Sequence, residues 1–217
     1  MFPATSVSSA TAGTTRQDIR KVMGLTPISV QLLVAIGANL PIDQQSPADT
    51  LRLAFAALGD SGLSGLRMSR LYATPCFPAG AGPDYVNAAI AAPLPAGWDA
   101  ERVLALLHGI ETRFGRKRET RWGMRTLDLD LVAFGSAVLP DAETHALWRG
   151  LAPSEQALRT PDRLILPHPR LQDRSFVLVP LADVAPDWRH PVLGLTVREM
   201  LAARPAAERA EVVPLGV

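Results

Sequence analysis

Between Leu127 and Leu131 the chain alternates strictly: Leu-Asp-Leu-Asp-Leu. Side chains two apart in a strand point to the same side of a sheet. A strand over 127–134 therefore shows Leu127, Leu129 and Leu131 to helices on one face and holds Asp128 and Asp130 together on the other. Two carboxylates so close repel each other unless a cation lies between them. Magnesium takes oxygen ligands and commonly combines one or two carboxylates with substrate phosphates. For so short a pattern, the plain alternative is an acidic, solvated sheet face balanced by nearby arginines.

The residues just upstream bear on that choice. Arg113, Arg116, Lys117, Arg118, Arg121 and Arg125 put six basic residues within thirteen positions, against one acid, Glu119. Gly115 and Gly123 predict a mobile loop there. Guanidinium forks bind phosphate oxygens in pairs and offset their charge. Alone, the run is equally a solvated basic loop. Joined to the aspartate pair, it meets the needs of phosphoryl transfer, which are positioning and neutralisation of developing charge. No phosphate-binding Gly-x-x-x-x-Gly-Lys-Ser/Thr loop, protein-kinase signature or Cys/His zinc spacing occurs.

Five further segments frame this strand. Gln31 to Ile36 is an apolar run of strand length that ends at Gly37. Ser46 and Pro47 open a helix as cap and first residue, with Leu51, Phe55 and Leu58 on one face. Leu66 to Tyr72 reads as a strand with Leu66, Met68 and Arg70 on one side. Tyr85 to Ala92 is another strand, after a Pro/Gly-rich loop over 74–83. A second helix begins at Trp98-Asp99, shows Val103, Leu106, Leu107 and Ile110, and stops near Gly115. The order β-α-β-β-α-β predicts an α+β, ferredoxin-like sandwich with both helices on one face of a largely antiparallel sheet. A C-terminal extension follows: a short strand at 137–139, a polar insert over 140–162, and short helices at 176–181 and 197–203. Residues 1–28 are expected as a disordered tail, 29–203 as the domain, and 204–217 as a C-terminal tail.

The bulk properties exclude more than they assign. A net charge of +1 names no partner, and 47% apolar residues suit a globular chain. The lone Cys76 permits no internal disulfide, as expected in a reducing cytoplasm, and reads as a loop residue. No apolar run reaches the ~18 residues of a membrane span. The first residues lack the pattern of a secretory signal; their scarcity of acids leaves a transit-peptide reading open. His108 reads as a helix-surface or packing residue, and His145 and His190 have no supporting context. His168, set between Pro167 and Pro169, is expected to be exposed on a rigid loop.

Five blocks, in order, resemble the 6-hydroxymethyl-7,8-dihydropterin pyrophosphokinase family of folate biosynthesis. They are Ala35-Ile36-Gly37-Ala38-Asn39-Leu40, Tyr72-Ala73-Thr74-Pro75, Asp84-Tyr85-Val86-Asn87-Ala88-Ala89, Arg121-Trp122-Gly123-Met124-Arg125-Thr126-Leu127-Asp128-Leu129-Asp130, and Leu166-Pro167-His168-Pro169 with Arg174 and Phe176. The resemblance spans about Leu33 to Pro191. It implies transfer of pyrophosphate from ATP to the pterin hydroxymethyl group, with AMP released. It implies two Mg2+ ions on Asp128 and Asp130. Arg116, Arg118, Arg121 and Arg125 would hold phosphates and close the loop, with Trp122 packing as it shuts. His168 and Arg174 would bind the nucleotide phosphates. Tyr85 and Phe176 would sandwich the pterin, Asn87 would read its edge, and Thr74, Pro75 and Phe77 would hydrogen-bond the rest beside Gly37. Small-molecule partners only, no nucleic acid, no membrane, a monomer and a cytoplasmic location are expected.

Several positions depart from the family pattern. Met124 stands where many relatives have Pro, and the basic loop looks one residue shorter than in a known relative. Ile165 replaces a Thr on the nucleotide side, Pro169 stands where an aromatic is common, and the insert is long. Two other functions are compatible with parts of the chain. A nucleotidyltransferase also pairs Asp-x-Asp with basic residues, but Gly37 is followed by Ala38 where that class has Ser. An RNA-binding module would need exposed sheet aromatics and a basic surface; the near-neutral charge and paired aspartates argue against it.

Overall fold

The computed structural model describes residues 31–76, 80, 82–115 and 126–216. Strand β1 (Gln31–Ala38) runs through the middle of the sheet, with β5 (Asp128–Phe134) on one side and β4 (Tyr85–Pro93) on the other. Beyond β4 lie β2 (Arg67–Met68) and β3 (Tyr72–Thr74), and β6 (Val213–Pro214) pairs with β3. Every pairing is antiparallel. Helix α1 (Pro47–Asp60) follows β1 and α2 (Ala100–Arg113) follows β4, giving the expected ferredoxin-like order.

Local chemistry sets both helix starts. The Ser46 hydroxyl accepts from Asp49 N at 3.2 Å, with Pro47 in the first turn, where its missing donor costs nothing. The Asp99 carboxylate accepts from Arg102 N at 2.8 Å. Leu51, Leu58, Val103, Leu107 and Ile110 then bury against Val34, Ile36, Ile90, Leu129 and Leu131. Each fully buried side chain of this kind is worth about 1.5–3 kcal/mol relative to exposure.

The other face of the sheet is covered as well. Leu33, Ala89, Ala91, Val132 and Ala133 pack under α5 (Ser175–Val184) and α6 (Val197–Ala202), through Val177, Leu178, Leu181, Val197 and Met200. The molecule therefore has a third layer, supplied by the C-terminal extension.

Several local expectations are corrected or filled in. The single strand at 66–72 is divided into β2 and β3 around Ser69, whose hydroxyl accepts from Ala89 N at 2.9 Å and so takes a backbone group's place in the ladder. Arg70 turns outward to Asp183. The strand at 137–139 reduces to one bridge, Leu139 with Leu166. The insert carries α3 (Ala142–Gly150), capped by the Asp141 carboxylate, and α4 (Pro153–Leu158). Residues 204–216, set apart above as a tail, hold α7 (Ala206–Ala210) and β6.

Candidate functional site

Strand register lines up one row of residues across the sheet: Asp128 of β5 opposite Gly37 of β1, Gly37 opposite Asn87 of β4, and Asn87 opposite Tyr72 of β3. Directly paired residues share a face, so the row lies on the side that α5 covers. Asp130, opposite Ala35, occupies the next row. Asp128 and Asp130 are half-buried while Leu129 and Leu131 are buried on the far side, as the alternation requires. The β1–β5 register shifts between Leu33 and Val34, leaving Val132 as an extra residue on β5. Its carbonyl accepts from His168 N at 2.8 Å. The bulge is thus where the His168 loop attaches to the aspartate strand.

His168 is half-buried, not exposed as its proline neighbours suggested. The close cover of this loop is the reason. Its Nδ1 accepts from Arg170 N at 3.1 Å, which places the ring proton on Nε2. Burial first, then the Arg174 and Arg170 charges, push the imidazole well below its ordinary value and keep it neutral. Ala35, Asp130, Val132, His168, Leu171 and Arg174 line one small cavity. Asp130 of β5 meets His168 and Arg174 here, more than thirty residues further along the chain.

On β4 and β3 the same face carries a second polar group. Asn87 Nδ2 donates to Thr74 Oγ1 at 2.7 Å, and both residues are buried. A Cβ on Gly37 would stand 2.5 Å from Asn87 Oδ1, so the amide lies directly over the glycine. Tyr85 pairs with Thr74 and is half-buried; Pro75 is exposed. Phe176, 41% exposed, opens α5 beside Arg174, whose guanidinium sits 5.7 Å from its ring centroid. Asp84 Oδ1 accepts from Cys76 N at 3.3 Å and Asn39 Nδ2 donates to Pro83 O at 3.2 Å, tying down the loop ends next to this group. Phe77, Arg116, Arg118, Arg121, Trp122 and Arg125 lie outside the described residues.

Two features were missed from sequence. Glu111 is 1% exposed, and its Oε1 accepts from Leu129 N at 2.8 Å, between the two aspartates. An acid on the apolar stripe of α2, one residue past Ile110, was the available signal. The second is a clamp on α5. Asp183 accepts from Arg70 Nη2 at 3.0 Å and from the buried Tyr72 hydroxyl at 2.8 Å. Burial, then the Asp183 hydrogen bond, raise the Tyr72 phenol to about 12.

The donor set fits magnesium. Among the described residues no group of three or more His, Cys, Asp or Glu could hold a metal unaided. Two half-buried carboxylates on one strand face offer hard oxygen ligands and leave the remaining positions to water and phosphate, the arrangement usual for this ion.

Residues 33–186 match the family model described as 7,8-dihydro-6-hydroxymethylpterin-pyrophosphokinase. A Pseudomonas aeruginosa 2-amino-4-hydroxy-6-hydroxymethyldihydropteridine pyrophosphokinase is 38% identical over 176 residues, which are 81% of this chain and 92% of that one. A Synechocystis protein of the same name is 36% identical over 171 residues, 78% of this chain and 73% of its own. A crystal structure of an HPPK-DHPS in complex with substrates superposes with a TM-score of 0.53 at 12% identity, over 80% of this chain and 45% of that one. Wild-type Plasmodium falciparum HPPK-DHPS gives 0.51 at 15% identity, over 79% and 44%. This chain spans under half of those two-part proteins, and the likeness to them is one of fold.

Proposed function

We infer the work of individual residues from one premise: this chain belongs to the 7,8-dihydro-6-hydroxymethylpterin-pyrophosphokinase family. It transfers pyrophosphate from ATP to 6-hydroxymethyl-7,8-dihydropterin, giving the pterin diphosphate and AMP, a step of tetrahydrofolate biosynthesis. The meeting of Asp130, His168 and Arg174 around one cavity, beside the Gly37–Asn87–Thr74 group, supports a reading with both substrates on this sheet face.

In this reading the triphosphate lies along the β5 side and the pterin along the β4–β3 side. Asp128 and Asp130 hold two Mg2+ ions, which supply charge neutralisation at the transferring phosphoryl group. The neutral His168 presents its Nε2–H to a phosphate oxygen, and Arg174 adds a fixed positive charge. Arg116, Arg118, Arg121 and Arg125, with Trp122, close over the phosphates. Thr74, Asn87 and the backbone near Pro75 and Phe77 bind the pterin edge, and Tyr85 and Phe176 stack on its ring. The half-exposed Phe176 supports this, since a large apolar ring is left at the mouth of the site. We expect the protein to work as a monomer.

The test is direct. With ATP, magnesium and 6-hydroxymethyl-7,8-dihydropterin, the protein should release AMP in step with pterin diphosphate. Pyrophosphate release with a nucleotidyl product would instead indicate nucleotidyl transfer. A folded sample that forms no AMP above background defeats the reading.

A further inference from the structure

The insert makes one contact with the site that its composition did not suggest. It leaves and rejoins the domain at one place: Leu139 and Leu166 exchange backbone hydrogen bonds of 2.8 and 3.2 Å. Within it, α3 has a single fully buried residue, and that residue is His145, at 0% exposure. Leu147 on the same helix is 56% exposed. A helix docked only for packing would bury its leucine and leave its histidine in water.

His145 Nε2 lies 3.0 Å from the Pro167 carbonyl oxygen. A carbonyl can only accept, so Nε2 is the donor, and burial, which lowers the imidazole, keeps the ring neutral with Nδ1 unprotonated. Pro167 precedes His168, whose own N–H is held by Val132 of the bulge. The loop that presents His168 is therefore pinned from both sides, by β5 and by α3. Behind His145, His190 is also 0% exposed, with ring centroids 6.0 Å apart. Its Nδ1 accepts from Val192 N and Leu193 N, both at 3.2 Å, and Trp188 meets it edge-on at 5.8 Å. His145 is thus backed by a buried ring held at Nδ1 by two backbone N–H groups.

We propose that His145 is a positioning residue for the reaction: by holding the Pro167 carbonyl it sets the His168 loop against β5, and so makes the insert helix a support of the nucleotide end of the site. This rests on the reading of His168 as a phosphate ligand. Around metal sites, removing the outer hydrogen bonds that orient a ligating histidine costs about ten- to a hundredfold; an effect at the low end is expected here, where His145 acts through the Pro167 carbonyl.

Two measurements test it. His145→Leu removes the donor and His145→Gln keeps one. Steady-state kinetics should show the ATP KM rising about tenfold in His145→Leu, the pterin KM staying within about twofold, and His145→Gln recovering most of the loss. An unchanged ATP KM in His145→Leu, with His168→Ala impaired for ATP, overturns the positioning role alone. An unchanged ATP KM in His168→Ala overturns the underlying reading. The second measurement uses the native chain and does not depend on a variant folding. Coupling between sites is reciprocal, so saturating ATP with magnesium should slow amide exchange over 142–150, and pterin alone should not. Exchange in α3 that ignores ATP, or that responds equally to pterin, overturns the proposal.

Discussion

At the scale of single residues, three positions can be tested apart. Asp128 and Asp130 share the sheet face under α5, and as the proposed metal ligands their change to Ala, singly, should lower turnover by orders of magnitude with little change in melting temperature. Near-normal rates in both would mean that the metal lies elsewhere. Gly37 acts by what it lacks. A methyl group there meets Asn87 Oδ1 at 2.5 Å, and because the obstruction is a side-chain tip, Asn87 turns aside before the strand distorts. Gly37→Ala should therefore raise the pterin KM by up to about a hundredfold, the scale expected of a misplaced positioning group, while the ATP KM holds. The aspartates were legible because period two is unambiguous in Leu-Asp-Leu-Asp-Leu. The pterin group was not: nothing in Thr74, Tyr85 or Asn87 as isolated residues says that strand register gathers them, and only the family resemblance pointed there.

At the scale of elements, α5 is the piece whose docking matters most, since it carries Phe176 and follows Arg174. Its far end is held by Asp183, which takes hydrogen bonds from Arg70 and Tyr72. Burial raises the Asp183 carboxyl, and the Arg70 and Tyr72 bonds outweigh it, so it is held below its ordinary value. Arg70 is 64% exposed and its ion pair is worth little on its own; the buried Tyr72 hydroxyl sets the cost. Asp183→Ala should lower unfolding free energy by about 1–3 kcal/mol in urea titrations, and Tyr72→Phe by less. Equal stability in Asp183→Ala would show that apolar contacts alone seat the helix. Both sandwich helices could be read from their caps and stripes. The break at Ser69 could not, because a hydroxyl standing in for a ladder partner leaves no periodic trace. Nor could the role of α3, a polar helix anchored by one histidine.

At the scale of the whole molecule, acid should loosen the C-terminal half first. Burial, then the electrostatic influence of the neighbouring His145 and Arg149, lower His190 from 6.5 to about 4. A group with a depressed folded value supports the native state above its unfolded value, and that support is lost as pH falls toward the folded value. Melting temperature should decline from about pH 6.5 to about pH 4, by the equivalent of on the order of 3 kcal/mol from this site. A variant without the imidazole, His190→Phe, should flatten that limb; an unaltered slope would assign acid sensitivity to other groups. The third layer responsible for this burial was the largest feature absent from the sequence reading. Ala35, Ala89, Ala91 and Ala133 make the second sheet face too small and bland to announce itself as a buried one.

That alanine-lined face also fixes an order of events during synthesis. The sheet's long strands and both sandwich helices are complete by Phe134, whereas their cover ends only at Ala202. A chain that has emerged only as far as β5 includes the two aspartates, Asn87 and Thr74, but lacks the α5 and α6 residues that cover Leu33 and Val132 in the finished fold. Such a partly made domain is open to wrong association until α5 arrives. The residues proposed to bind phosphate, His168 and Arg174, and the helices that cover this face therefore emerge together, after the long strands are complete.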